Sequence, residues 1–160
     1  MSAAHAPFRD NERGAVLAES AIALPLIVII FATIFAVGST LSKTQVLETA
    51  ARDAARYLAH TKTTSGDETA ARNLAVYANT AGTGARRVTG LTTGNVAISY
   101  VTISNPVLAA TGERAYRGTD PLRLVRVDVA WTSTASAMWG LFGASPVTYH
   151  AIHQERVIGD

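Results

Sequence analysis

From Ser20 to Ser42 the chain carries no Asp, Glu, Lys, Arg or His, and its apolar residues follow one another without the polar returns that mark an amphipathic face. At 1.5 Å per residue, a helix of about 23 residues crosses a hydrocarbon core of about 30 Å with slack to tilt. The dozen or so Ile, Leu, Val and Phe side chains of this run favour insertion by roughly 4 to 7 kcal/mol before its polar residues are counted. The pattern predicts a transmembrane helix over 20–42. Past Gly38 and Ser39 the pattern turns to the helical period. Val46, Leu47, Ala50, Ala51, Ala54, Ala55 and Leu58 share one side, and Arg52, Asp53 and Arg56 stand off it. Span and stripe read as one helix over 15–60, and the small alanines permit close approach of a domain from the same chain.

The remainder changes period more than once. Thr61–Gly66 reads as a loop, and Ser65-Gly66-Asp67-Glu68 resembles a capping box opening a second helix, with Ala71, Leu74 and Ala78 on one face and an end near Asn79. The Thr- and Gly-rich stretch 80–94 predicts a mobile connection. Alternation then marks strands over 95–104 (Val96, Ile98, Tyr100) and 122–134 (Val125, Val127, Val129 and Trp131 against Arg126, Asp128 and Thr132). A last strand over 147–158 completes a three-stranded antiparallel meander, which needs a helix over one face to be stable. Pro106–Pro121, with Glu113, Arg114, Arg117 and Asp120, reads as an exposed loop. Ser136–Ser145, with Met138, Trp139, Leu141 and Phe142, reads as a buried turn or as an exposed apolar patch that would mark a partner surface. The fold class is α+β: a long amino-terminal helix, a short second helix and a small antiparallel sheet.

A length of 160 residues suits one small domain and a membrane segment, and the absence of cysteine leaves no disulfide to place. A net charge of +2, with Arg86-Arg87 as an adjacent basic pair, does not argue for nucleic acid, and the pair reads as part of a solvated loop. Met1–Arg13 mixes Arg9 and Arg13 with Asp10 and Glu12 around Pro7 and reads as a short unstructured leader. The organisation is therefore a leader over 1–14, a long helix over 15–60 and a small domain over 61–160. Lysine and arginine counts do not orient the span, because Lys43, Arg52 and Arg56 on the far flank match the basic residues of the leader.

Catalytic patterns are not evident. His150 and His153, three apart on a strand, point to opposite faces and cannot converge on one ion. His5 lies in the leader and His60 ends a helix. No serine has a base and an orienting acid at readable spacing, and the glycines match neither the dinucleotide fingerprint nor the phosphate loop. The expectation is a protein without enzymatic activity, cofactor or metal.

The chemistry that stands out is at the mouth of the span. Glu19 enters an apolar run where a carboxylate carried to the bilayer centre costs several kcal/mol. A cut between Gly14 and Ala15 would place a new amine four residues before Glu19, on the same helical face. Pairing within one chain or between neighbouring helices would lower the cost of burying both charges. The alternative is a Glu19 that reaches back to the headgroups as an interfacial residue. Pro25 removes a backbone donor inside the span and leaves the carbonyl of Ala21 without its usual partner, as a tolerated membrane proline or as a hinge. Ala36-Val37-Gly38 could imitate a signal-peptidase site, although the run is longer than a signal's apolar region.

Arg13-Gly14 followed by Ala15-Val16-Leu17-Ala18-Glu19 resembles a prepilin cleavage site of type IV pilin type. With Ala23-Leu24-Pro25-Leu26 and the alanine-rich stretch Thr44–Arg56, the opening resembles the TadE-like family of tight-adherence (Tad/Flp) pilus proteins. Ser20 follows the glutamate here, where many pilins of this system carry an aromatic residue. The likeness covers Arg13 to Ala59. It implies a pilin-like shape, a cytoplasmic amino terminus and a periplasmic domain. It also implies cleavage between Gly14 and Ala15 by a prepilin peptidase, with Glu19 pairing with the freed amine during assembly. The partners implied are that peptidase, other pilins and pseudopilins, the inner-membrane Tad assembly proteins and lipid, in a role in pilus assembly, secretion or adhesion. The competing reading is an uncleaved membrane-anchored periplasmic domain that binds envelope proteins.

Overall fold

The structure, a computed structural model, describes residues 9–61 (side chains from residue 14 onward), 65–118, 121–133, 143 and 145–158. Helix α1 runs over Arg9–Ala59, α2 over Ser65–Tyr77, β1 over Val96–Ile103, β2 over Leu122–Thr132 and β3 over Thr148–Arg156. The strands form one antiparallel meander in the order β1-β2-β3. Val96 pairs with Val129 and Ile103 with Leu122, while Leu124 pairs with Arg156 and Thr132 with Thr148. The α+β architecture is the one expected from the pattern. The chain divides into two compact units, Met1–Leu41 and Ser42–Asp160, and the division falls within α1.

In the first unit the large apolar side chains of α1 are exposed. Ile22 is 77% exposed and Phe35 79%, and none of the most apolar window of the helix is buried. Hydroxyls in this stretch are satisfied by their own helix: Thr33 Oγ1 donates to the carbonyl of Ile29 at 2.8 Å, and Ser39 and Thr40 both donate to that of Ala36 at 3.0 Å. A hydroxyl bonded this way brings no unsatisfied donor into hydrocarbon. Pro25 sits inside the helix without ending it.

In the second unit the same helix becomes a core element. Leu47, Ala50, Ala51, Ala54, Ala55, Leu58 and Ala59 are buried, together with Ala71, Ala75 and Val76 of α2 and Val96, Val125, Val127, Val129, Trp131 and Ala151 of the sheet. The alternation read in β2 is the one observed, with Val125, Val127 and Val129 fully buried. Alanine at five α1 positions (50, 51, 54, 55 and 59) keeps that helix surface low where it joins this core. The end of α1 is tightened by bonds from His60 N to Tyr57 O (3.2 Å) and Thr61 N to Leu58 O (3.4 Å). One of its orphan carbonyls, that of Ala59, accepts the amide of Ile158 at 2.8 Å.

Four expectations need correction. Arg9–Arg13, read as unstructured leader, is helical, because the sequence offers no proline or glycine there to stop α1 before Gly14. Ala78, placed on the apolar face of α2, is instead an exposed residue at φ 61° that ends the helix. Its amide still bonds to Leu74 O at 3.0 Å, as at a left-handed helix end. Residues 80–94 are tied down rather than loose. Asn79 Oδ1 accepts from the amides of Gly82 and Thr83, Asn79 Nδ2 donates to the carbonyls of Tyr77 and Thr83, and Val88 and Leu91 are buried. Arg87, read as half of a solvated pair, is 15% exposed and contacts Asp53 of α1 at 2.6 Å. Charge pairing across the helix, not solvation, holds that loop.

The connection from β1 to β2 is exposed, as read, but it is built as a small hairpin on one buried residue. Asn105 Nδ2 donates to the carbonyls of Tyr116 (2.8 Å) and Gly118 (3.3 Å), and its Oδ1 accepts from Tyr116 N (2.8 Å). Val107 bridges Arg114, and Leu108 N bonds to Glu113 O at 2.8 Å. The cluster Met138, Trp139, Leu141 and Phe142 lies outside the described residues, as do Met1–Phe8 of the leader.

The left-handed Ala78 offers a direct test. That conformation costs a residue with a Cβ about 1–2 kcal/mol, and glycine's greater freedom in the unfolded chain takes back roughly 0.5–1 kcal/mol. Ala78→Gly is expected to raise stability by a net amount on the order of 0.5–1 kcal/mol, read as a higher urea midpoint at unchanged slope for the full chain in detergent.

Candidate functional site

The residues singled out in the sequence, Gly14, Ala15 and Glu19, lie on one exposed stretch of α1. Helix geometry puts Ala15 and Glu19 one turn apart on the same face, with a rise of about 6 Å between them. Among the described residues Glu19 has no ion-pair partner. Gly14 is informative by what surrounds it. A Cβ built there meets nothing within 4 Å, and its backbone is not in the left-handed region. Glycine inside an exposed helix costs about 1 kcal/mol relative to alanine, so neither packing nor backbone geometry accounts for it. Gly38 is equally unobstructed.

The histidines fall as expected. In β3, His150 is exposed and contacts Asp128 at 3.0 Å, while His153 is partly buried on the other face and contacts Glu155 at 3.2 Å. Among the described residues no group of three metal-binding side chains occurs. An open groove in the second unit is lined by Asp53, Arg56, Tyr57, His60, Thr61 and Leu74. His60, the histidine read at the end of the long helix, is part of this lining.

Two polar constellations of the domain escaped sequence reading. At one end of the sheet, Lys43 Nζ stands 5.2 Å from the centre of the Trp131 ring, which stacks on Tyr149 at 6.0 Å. The Trp131 indole N–H donates to Thr89 O at 3.1 Å. Beside α2, the Tyr100 hydroxyl donates to Glu68 at 3.3 Å, Glu68 faces Arg72 at 3.8 Å, and the Arg123 guanidinium lies 5.6 Å from the Tyr100 ring centre. Burial, and then the Glu68 carboxylate, pushes the Tyr100 phenol up from 10.0 to about 12, since both disfavour a phenolate. Apart from the Glu68–Arg72 pair one helical turn apart, these contacts join residues distant in the chain, such as Tyr100 with Glu68 and Trp131 with Thr89.

Among the described residues, one helix, Gly14–Ala59 within α1, is long and apolar enough to cross a membrane, and the second unit is a small α+β domain. Residues 14–56 match the family model described as TadE-like protein. The segment Gly14–Arg56 is thus TadE-like, over the stretch where the resemblance was read, and the sheet lies outside the match. No curated protein and no solved structure matches the chain.

The raised Tyr100 phenol gives a pH prediction with a defined sign. Below pH 10 the group is neutral in folded and unfolded chains alike and contributes no pH dependence. Between pH 10 and about 12 the unfolded chain loses this proton while the folded chain keeps it, so stability falls as pH rises through that window. The difference in phenolate absorbance between the parent and Tyr100→Phe is expected to titrate near pH 12, and the variant is expected to lack this share of the alkaline loss.

Proposed function

We propose that the chain is a pseudopilin-like subunit of a Tad/Flp pilus or secretion system. In this reading α1 anchors it in the bacterial inner membrane, with the amino terminus cytoplasmic and the domain periplasmic. A prepilin peptidase cuts between Gly14 and Ala15. The new Ala15 amine then pairs with Glu19, within the chain or across to a neighbouring subunit, as the helix enters an assembly with other pilins under the inner-membrane Tad proteins. The observation that carries this reading is the family match opening at Gly14, a glycine whose presence neither packing nor backbone conformation requires. A peptidase that recognises the absence of a side chain supplies the missing reason.

A second reading, an uncleaved membrane-anchored domain that binds envelope proteins, is favoured by one feature. Helix α1 runs without interruption from Arg9 through the Gly14–Ala15 bond, and a peptidase would have to unwind that turn. The glycine keeps unwinding inexpensive.

Intact mass and amino-terminal sequencing, from cells with and without the peptidase, separate the two. A chain beginning at Ala15 only when the peptidase is present is the expected result, and Gly14→Ala is expected to stay uncut while folding unchanged. A chain retaining residue 1 or 2 in both strains would establish the anchored domain instead. Glu19→Ala is expected to be cut normally and to remain in the membrane fraction, with its recovery in sheared pili falling at least tenfold, the factor for about 1.4 kcal/mol. Normal incorporation would remove the pairing role.

A further inference from the structure

The second unit is not evenly charged along its strands. Toward one end of the sheet lie Arg123, Arg126, Glu155 and Arg156, with Glu113, Arg114 and Arg117 in the adjoining hairpin. Toward the other, the strands beyond Asp128 and before His150 carry no charge at all. From Val129 through Tyr149 the sequence contains no Asp, Glu, Lys, Arg or His. What this end presents is hydroxyl and aromatic. Thr132 and Thr148 share a 2.8 Å hydroxyl bond across the β2–β3 pair. Ser133 N bonds to Val147 O at 2.8 Å, and Val147, 51% exposed, donates its amide to Ser133 Oγ at 3.2 Å. Trp131 and Tyr149 stack just inside.

The same end is marked by Lys43, whose ammonium stands 5.2 Å from the Trp131 ring centre. Lys43 is also the first charged residue after the uncharged window that ends at Ser42. Where a span of this length crosses a bilayer, its first following lysine belongs at the headgroup level. The headgroup layer is about 5–7 Å deep on each side of the hydrocarbon, so a group within that reach of Lys43 shares its depth. Lysine with the partly exposed Tyr149, braced from behind by the buried Trp131, has the composition of an interfacial belt, and the missing carboxylates remove the repulsion an anionic surface would impose.

We infer that this end of the sheet, formed by Lys43, Thr132, Ser133, Val147, Thr148 and Tyr149, is a lipid-contact surface that rests on the headgroup layer of the bilayer crossed by α1. The inference builds on the membrane span of the proposed function and is independent of cleavage at Gly14. The arginine-rich end of the sheet is the opposite one. Contact fixes which part of the domain is open to other subunits while the protein is still in the membrane.

The chain has no cysteine, so single cysteines report one position each. Full-length Val147→Cys, Val107→Cys and Phe35→Cys, each labelled with an environment-sensitive fluorophore, are reconstituted in phosphatidylcholine/phosphatidylglycerol vesicles doped with lipids nitroxide-labelled at the headgroup or in the acyl chain. Val107 is 55% exposed in the charged hairpin and Phe35 79% exposed in the span. Expected is headgroup quenching several-fold stronger at 147 than at 107, with acyl-chain quenching strong at 35 alone. Equal, weak headgroup quenching at 147 and 107, with 35 still quenched from the acyl chain, would overturn the contact and leave the span standing. Loss of acyl-chain quenching at 35 would overturn span and contact together. Lys43→Glu is expected to reduce the signal at 147 in the anionic vesicles and leave that at 35 unchanged, and an unchanged signal at 147 would count against Lys43.

Discussion

One continuous helix carries two kinds of surface. Over its first part α1 turns large aliphatic side chains outward in every direction, and over its second it turns a row of alanines and two leucines toward a sheet. The two demands are opposite in steric terms. Lipid contact favours bulk all round the helix, whereas the domain needs one face low enough for strands to approach the backbone. The change of surface is made by residue size alone, with the helical hydrogen bonds running through it. In the second unit this alanine face shares one core with Val125, Val127 and Val129 of the sheet and with Ala71, Ala75 and Val76 of α2.

A core built on alanine is thin. Alanine buries little apolar area, each fully buried Val or Leu contributing about 1.5–3 kcal/mol by comparison, so the domain leans on polar fasteners at its margins. Arg87 ties the loop after α2 to Asp53 of α1, Asn105 gathers the β1–β2 hairpin, Trp131 is held by its indole N–H, and the Ile158 amide closes on the end of α1. Each joins parts of the chain far apart in sequence, and together they frame the small hydrophobic centre.

The elements whose register is local were legible from the sequence. The apolar run, the alanine stripe, the acidic first turn of α2 and the alternation of β2 all announce themselves within a dozen residues, because helix and strand periods are short-range properties. Gly14 and Glu19 stand out in the sequence as a spacing, and the family match covers the stretch that contains them. What could not be read were the places where a polar side chain replaces secondary structure as the organiser. Residues 80–94 look mobile until Asn79 and Arg87 are seen to hold them. Asn105 looks like an ordinary loop residue until its amide is found bonded to Tyr116 and Gly118. Ala78 was misplaced because the helical period is blind to the residue at which the backbone turns left-handed.

The way Asn105 holds its hairpin has a practical side. Asn105 is seated at the base, by bonds to Tyr116 and Gly118 and by Arg114 on its carbonyl, while the turn from Thr111 to Glu113, with Gly112 at φ 68°, is exposed. Base and tip are therefore separable, and loop-closure entropy grows only slowly with length. An epitope or a short binding peptide spliced in after Gly112 would hang from an intact mount, on the end of the sheet opposite Lys43, which makes this turn the natural display position on the molecule.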